Sequence, residues 1–554
     1  MLRAQRSIFN TSSSAGLALL AGLAQAGSLA DPWQRVPHGW LQIVSLAALA
    51  GLLARPGVTW RRGFALAWLF GLAWLAGTFW WLFISMHRYG GLNAALAVLA
   101  VLALAGALAI YYGVAGALFA WLTGRRRAGV FAVLASATLF AALWTLAELA
   151  RGQWFTGFPW GAGGYAHVGS GTGRAFDLDM AGYAPYVGVY GLGFVAAWVA
   201  ACLGVLVAMV CTGRPSPMSW RFDGRAMPRR PWFGFVAAFA IACWLLWLPT
   251  RLHLPPSDDD GHHPPITVAL LQGNIPQDVK FVPGAGIEMS LNWYGQQFQQ
   301  STAALTIAPE TAIPLLLNEL PPSYWDALKA RFTTGDHALL TGIPLGDPTT
   351  GYTNSVVGFA PGAATYYGYS KHHLVPFGEF IPPLFRWFVH KMHIPLGDFN
   401  RGPLVQDSFA WNGERFAPTI CYEDLFSEEL AARFADPARA PTVLINISNL
   451  GWFGNTVALD QHLAISRMRA LEFARPVLSA TNTGATAIID AQGRITQALP
   501  YATRGVLTGQ FRGATRITPY AWWASRWGSL PLWGLCLIIV AAAVWLPQRR
   551  NPQH

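Results

Sequence analysis

Eight apolar runs, separated by short loops in which the arginines collect, limit this chain more than any other feature it has. The runs lie near 14–31, 39–54, 64–85, 92–122, 129–149, 186–211, 232–249 and 528–546. Each is long enough, or nearly so, to cross a hydrocarbon core of about 30 Å. Backbone N–H and C=O groups find no partner in lipid, so such runs are held to helices that pair them internally. The composition agrees: 53% of residues are hydrophobic and only 12% charged, against about 25% charged in soluble domains. We therefore expect a multi-span α-helical membrane bundle of eight helices.

The net charge of +11 would suggest a nucleic-acid partner if its positions were ignored. Arg3 and Arg6 precede the first run. Arg55, Arg61 and Arg62 follow the second, Arg125, Arg126 and Arg127 the fourth, Arg214, Arg221, Arg225, Arg229 and Arg230 the sixth, and Arg549 and Arg550 the eighth. The alternate loops hold only Arg35, Arg88, Arg151 and Arg174. The excess of positive charge in cytoplasmic loops then places both termini in the cytoplasm and the long polar segment outside it. The basic charge is accounted for by topology, and no nucleic-acid partner is expected. Arg3, Arg6 and Ala24-Gln25-Ala26 also fit a cleavable signal peptide; an uncleaved span is the preferred reading.

The expected organisation is helices one to seven in 1–250, a linker over 251–265, a catalytic domain over 266–515, and the eighth helix with a tail over 516–554. The polar segment reads as α/β. Strands are expected at 266–272, 304–308, 338–342, 355–359, 364–369, 415–421, 442–448, 476–481 and 485–490, with helices at 288–300, 323–332 and 459–474 between them. The linker's Asp258, Asp259, Asp260, His262 and His263 have no fixed ligand spacing and read as a solvated tether rather than a metal site.

Three expected strand ends carry chemistry: Pro309-Glu310-Thr311, the Lys371 run Tyr369-Ser370-Lys371-His372-His373, and Ile420-Cys421-Tyr422-Glu423-Asp424. Cys421 is the lone thiol of the polar segment, because Cys202, Cys211, Cys243 and Cys536 all lie in apolar runs. Taken singly, each residue has a plain structural reading: a surface acid, a solvated amine, a small core residue. Taken together, a carboxylate base, an ammonium and a thiol are what a cysteine nucleophile needs, since a thiol of pKa about 8.5 is mostly protonated at neutral pH.

The three residues resemble the Glu-Lys-Cys triad of the nitrilase superfamily. The wider pattern is similar to its membrane-bound apolipoprotein N-acyltransferase family: the eight-run layout, Gly157-Phe158-Pro159-Trp160, Gln272-Gly273-Asn274-Ile275-Pro276-Gln277, Trp452-Phe453-Gly454 and Arg467-Met468-Arg469-Ala470-Leu471-Glu472. The resemblance implies an αββα nitrilase-like (CN hydrolase) domain on the periplasmic face of a bacterial inner membrane. It also implies transfer of an acyl chain from a phospholipid, typically phosphatidylethanolamine, to the N-terminal amine of a diacylglyceryl-cysteine apolipoprotein, by a ping-pong route through a cysteine thioester. In that reading Glu310 is the general base, Lys371 the oxyanion stabiliser and Cys421 the nucleophile. Glu379 and Glu423 support them, Tyr422, Asn449, Trp452 and Phe453 lie near substrate, and no cofactor or metal is called for.

The aromatic stretch Phe377, Phe380, Ile381, Leu384, Phe385, Trp387 and Phe388, with Arg386 and Lys391, reads equally as an apolar approach to the thiol or as a buried helix. Two positions depart from the family pattern: Phe281 stands where Trp is usual and Leu450 where Asp is usual. The stretch 169–180 reads as an insertion. A membrane-tethered amidase or nitrilase would use the same triad but would not need eight spans. A coupled transporter would bury more ionisable groups than Glu148, and an idle scaffold would not keep a whole triad.

Overall fold

The computed structural model describes residues 2–124, 132–169, 180–211, 230–252, 264–381 and 398–545. The chain divides into two compact units, one formed by Met1–Trp80, Ala95–His253 and Ser529–His554, the other by Trp81–Ala94 and Leu254–Gly528. The linker histidines and aspartates, the stretch 170–179, and Leu384, Phe385, Arg386, Trp387, Phe388 and Lys391 lie outside the described residues.

The first unit is helical: α1 (Leu2–Gly27), α2 (Gly39–Leu53), α3 (Trp60–Phe79), α4 (Ala94–Gly124), α5 (Ala132–Gln153), α6 (Ala184–Cys211) and α7 (Arg230–Trp247), joined by the C-terminal Leu530–Trp545. Four helices are long and apolar enough to cross a membrane: Trp60–Phe79, Ala94–Gly124, Ala132–Thr156 and Ala181–Ala208. A fifth is added if Pro519–Trp527 and Leu530–Trp545 form one bent span. The eight runs thus yield four or five full-length spans among the described residues. The second run shows why. Its helix α2 has 15 residues, about 22 Å at 1.5 Å per residue, because Pro56 and the left-handed Gly57 (φ 78°) end it.

Apolar helices gain little by hiding from lipid, so this unit relies on close backbone approach and internal hydrogen bonds. A Cβ on Gly204 of α6 would sit 2.1 Å from the Ala47 carbonyl oxygen of α2, and one on Gly51 would sit 2.9 Å from that of Gly204. Only hydrogen fits at this crossing. The buried Arg151 of α5 donates to Tyr112 Oη at 2.8 Å and to the carbonyls of Phe158 at 2.5 Å and Trp160 at 2.8 Å. Glu148, one helical turn earlier, accepts the Gly163 N–H at 2.7 Å. These bonds account for the Gly-Phe-Pro-Trp motif: its irregular backbone is held at helix α5 by charges that otherwise could not be buried.

The second unit is an αββα sandwich of two six-stranded sheets. The first sheet runs in spatial order β12 (Gly505–Phe511), β1 (Ile266–Gln272), β2 (Leu305–Ile307), β3 (Ala338–Asp347), β4 (Gly351–Phe359) and β5 (Tyr367–Ser370). The second runs β11 (Ile495–Ala498), β10 (Ala487–Ile489), β9 (Val477–Thr481), β8 (Val443–Ser448), β7 (Glu414–Ile420) and β6 (Phe409–Trp411). Strands β1, β2 and β3 are parallel, as are β7, β8 and β9. Largely buried on both faces, they read as mainly apolar runs such as Ile-Thr-Val-Ala-Leu-Leu.

Between the sheets Val268, Leu270, Ile307 and Leu340 meet Phe416, Ile420, Ile445, Ile447 and Leu478, all buried. The outer face of the first sheet packs Leu271, Leu339 and Val357 against Tyr294 and Phe298 of α8 (Gly286–Gln300) and Leu328 and Phe332 of α9 (Pro322–Thr334). The second packs Leu444 and Val477 against Phe473 of α10 (Val457–Phe473) and Tyr520 and Ala524 of α11 (Pro519–Trp527). Each such aliphatic side chain contributes about 1.5–3 kcal/mol on burial, enough in aggregate to offset the cost of the charged groups buried at the strand ends.

Candidate active site

The charged groups collect where strands finish. β2 ends at Ile307, and three residues on Glu310 precedes Thr311, whose φ of 49° turns the chain sharply. β5 ends at Ser370, followed by Lys371; β8 ends at Ser448, followed by Asn449. β7 ends at Ile420, and Cys421 opens a 3₁₀ turn, Cys421–Leu425, from a left-handed φ of 51°. A non-glycine residue held there is strained, and such strain persists only where surrounding structure enforces it. Here that enforcement is visible. The Cys421 carbonyl lies 3.4 Å from His462 Nε2 and 3.5 Å from Asn446 Nδ2, and Glu423, two residues on, accepts the Ile420 N–H at 2.7 Å.

Glu310 is clamped from three sides. Its Oε1 accepts Asn354 Nδ2 at 2.7 Å, its Oε2 accepts the Asn449 N–H at 2.9 Å, and its own carbonyl accepts Lys280 Nζ at 3.1 Å. The Asn449 N–H also faces the Cys421 sulfur. Lys371, 1% exposed, pairs with Glu379 Oε1 at 3.0 Å and stands 3.6 Å from Glu310 Oε1. Burial disfavours its charge, but Glu379 and Glu310 outweigh that and hold the ammonium well above the usual lysine range. Burial pushes the Cys421 thiol well up, and the Glu310 charge adds to this against the opposing pull of Lys371. The resting sulfur is therefore a neutral thiol that needs a base at the moment of attack.

Glu423 ties the lysine loop to the cysteine turn. Its carboxylate accepts Tyr369 Oη at 2.9 Å, the His372 N–H at 2.6 Å, the His373 N–H at 3.2 Å and the Ile420 N–H. Glu379 Oε2 accepts the Val375 N–H at 2.8 Å, closing the turn after Lys371. Tyr422 is buried against Phe426 and His373. Trp452 and Phe453 end the 3₁₀ turn Leu450–Phe453 that follows Asn449. Both rings meet the segment Trp81–Ala94: Trp81 lies 4.4 Å from Phe453 between ring centroids, and Tyr89 meets Trp452 edge-on at 5.7 Å. Leu450 is fully buried beside Leu459 and Ala485, so an apolar residue there serves packing. Phe281 is exposed, its ring 5.7 Å from Lys280 Nζ.

Three residues of this site had no signal in the sequence, Asn354, Asn446 and His462, and a fourth, Lys280, stood out only as the neighbour of Phe281 in the family pattern. Asn354 and Asn446 sit mid-strand, where nothing local marks them. Lys280 is 1% exposed, and burial, opposed by Glu310, pulls its pKa down from 10.5 to about 7. Between about pH 7 and 10.5 the unfolded chain binds the proton that the folded chain has released, so this group makes stability rise with pH across that window. In Lys280→Met that contribution is gone. The melting-temperature advantage of the parent over the variant should therefore widen from pH 7 to pH 10; a gap of constant size would contradict the burial of this amine.

A two-sheet sandwich with an acid, an amine and a thiol at its strand ends is joined in one chain to helices apolar and long enough to cross a membrane. Residues 267–519 match the family Carbon-nitrogen hydrolase, and residues 18–202 match Apolipoprotein N-acyltransferase N-terminal domain. The apolipoprotein N-acyltransferase of Verminephrobacter eiseniae is 53% identical over 529 residues, 92% of each chain. That of Ralstonia nicotianae is 42% identical over 517 residues, 92% of this chain and 90% of its own, and that of Bordetella bronchiseptica 40% over 568 residues, 96% and 97%. The chain belongs to the apolipoprotein N-acyltransferase family.

Proposed function

We propose that this enzyme moves an acyl chain from a phospholipid, typically phosphatidylethanolamine, to the N-terminal amine of a diacylglyceryl-cysteine apolipoprotein, in two half-reactions through Cys421. Glu310 takes the thiol proton as the sulfur attacks the donor ester carbonyl, and the oxyanion forms beside Lys371. The ester C–O bond breaks, the lysophospholipid leaves with the proton from Glu310, and a thioester remains. The acceptor amine then attacks the thioester, Glu310 accepts its proton, and the thiol is regenerated as the amide forms. Two lipid-bearing substrates need not share the site at one time, which gives ping-pong kinetics.

The observation that carries this reading is the clamp on Glu310: two hydrogen bonds fix its carboxylate and a third its main-chain carbonyl, and the neighbour of that carboxylate, through the Asn449 N–H, is a thiol that burial keeps protonated. Glu379 and Glu423 position Lys371 and the cysteine turn, and Tyr422, Trp452 and Phe453 border the substrate path. The arginine distribution supports a placement in the bacterial inner membrane with both termini cytoplasmic, the hydrolase domain periplasmic and eight spans in all: the five long ones, the shorter apolar helices Gly39–Leu53 and Val236–Thr250, and the first helix Leu2–Gly27. The rival reading, a membrane-tethered amidase, is separated by assay. Purified enzyme with phosphatidylethanolamine and a diacylated lipopeptide should yield the N-acylated lipopeptide and lysophospholipid in equal amounts. Hydrolysis of simple amides without transfer would support the amidase.

A further inference from the structure

Two carboxylates face a single ammonium in this site. Glu379 Oε1 and Glu310 Oε1 lie 3.0 and 3.6 Å from Lys371 Nζ, so two like charges share one counter-ion. The same two oxygens have a second donor in common. Asn354 Nδ2 lies 2.7 Å from Glu310 Oε1 and 2.8 Å from Glu379 Oε1, one amide proton for each. Glu310 Oε1, Lys371 Nζ, Glu379 Oε1 and Asn354 Nδ2 thus form a closed ring in which donors and acceptors alternate.

Asn354 does more than bridge. Its main-chain carbonyl accepts the Lys371 N–H at 2.8 Å, next to the β4–β5 pairing of Ser355 with Ser370, so one residue sets both the lysine backbone and the carboxylates that its ammonium serves. The side chain is buried, 5% exposed, and its Oδ1 has no hydrogen-bond partner among the described residues. A buried acceptor left unpaired costs stability. The arrangement keeps that cost because the opposite orientation would turn Oδ1 toward two carboxylate oxygens.

We propose that Asn354 is a positioning residue of the acyl-transfer site, the neutral fourth corner that lets one lysine serve two carboxylates and so keeps Glu310 available as the base for Cys421. This rests on the assignment of Glu310 as base. Besides the ring itself, the titratable groups facing it are Cys421 and Glu423, which interact with Lys371, and Lys280 and His462, which interact with Glu310.

The test reads the thiol directly. Purified full-length enzyme is alkylated with iodoacetamide across a pH series, and modification of Cys421 is followed by peptide mass spectrometry in the parent, Asn354→Ala and Asn354→Asp. Losing one donor to a charged acceptor should slow Cys421 alkylation at pH 7 about tenfold or more. It should also move the acid limb of the profile to higher pH, in the order parent, Asn354→Ala, Asn354→Asp, since the aspartate adds a third like charge. A uniform loss at every pH, an unmoved acid limb or the reverse order would overturn the proposal, and melting temperature shows which variant is folded enough to be read. Thioester formation from phosphatidylethanolamine is measured in parallel. A parent that alkylates normally but forms no thioester would sink the acyl-transfer reading, whereas a parent that forms it while the variants keep its pH profile would sink only the role of Asn354.

Discussion

Cys421→Ala is expected to lower acyl transfer to background, a loss of more than about 10⁴-fold, because removing a covalent nucleophile leaves only binding and oxyanion contacts. The fold should survive. The Cys421 backbone is held at its left-handed φ by bonds to its carbonyl and to the neighbouring Ile420 N–H, none of which involves the sulfur. The variant should therefore keep the parent's melting temperature to within a few degrees while producing no N-acylated lipopeptide. Residual transfer above about a hundredth of the parent's would show that another group accepts the acyl chain.

Glu310→Gln and Lys371→Met separate the charged partners. The first removes the base and should slow thioester formation about 10³-fold. The second removes the ammonium beside the developing oxyanion and should cost about 10²–10³-fold. Because Glu310 Oε1 and Glu379 Oε1 both lean on Lys371 Nζ, either change disturbs the same ring. The double variant should be less than about tenfold slower than the worse single variant, since groups acting as a unit lose most of their effect at the first substitution. Single-turnover measurements of thioester formation and of transfer to the amine, taken separately, decide this. Fully multiplicative losses would mean that the two residues act in different steps.

What the sequence disclosed follows from burial. The inner strands β1, β8 and β9 are buried nearly throughout and mainly apolar, so their runs stood out nearly at their final bounds: β1 occupies Ile266–Gln272, as expected. Of the four edge strands only β5, Tyr367–Ser370, was expected, at 364–369. β11 is exposed along its whole length, β6 has three residues, and β12 is broken by Gly505 and Gly509, so none carries the apolar signal of an inner strand. The parallel strands also explain why the site was partly legible, since Glu310 and Cys421 come just past the ends of β2 and β7, while Lys371 follows the antiparallel β5. Asn354 was invisible because its role depends on how β4 pairs with β5. Trp81 read as the end of an apolar run, yet it groups with the hydrolase unit through Phe453 and a 3.1 Å bond to Gln461 Oε1. Span number was the least legible quantity, because an apolar run such as 39–54 states composition while proline and glycine decide how much of it becomes helix.

The covalent acyl-enzyme on Cys421 is the claim on which the mechanism stands, and mass spectrometry of the purified protein after incubation with phosphatidylethanolamine, without acceptor, tests it most directly. The account predicts a mass increase of one fatty acyl chain on the peptide containing Cys421, removed by neutral hydroxylamine and discharged on adding a diacylated lipopeptide. An unmodified Cys421 in enzyme that still transfers acyl chains, or an adduct that the lipopeptide cannot discharge, would contradict it.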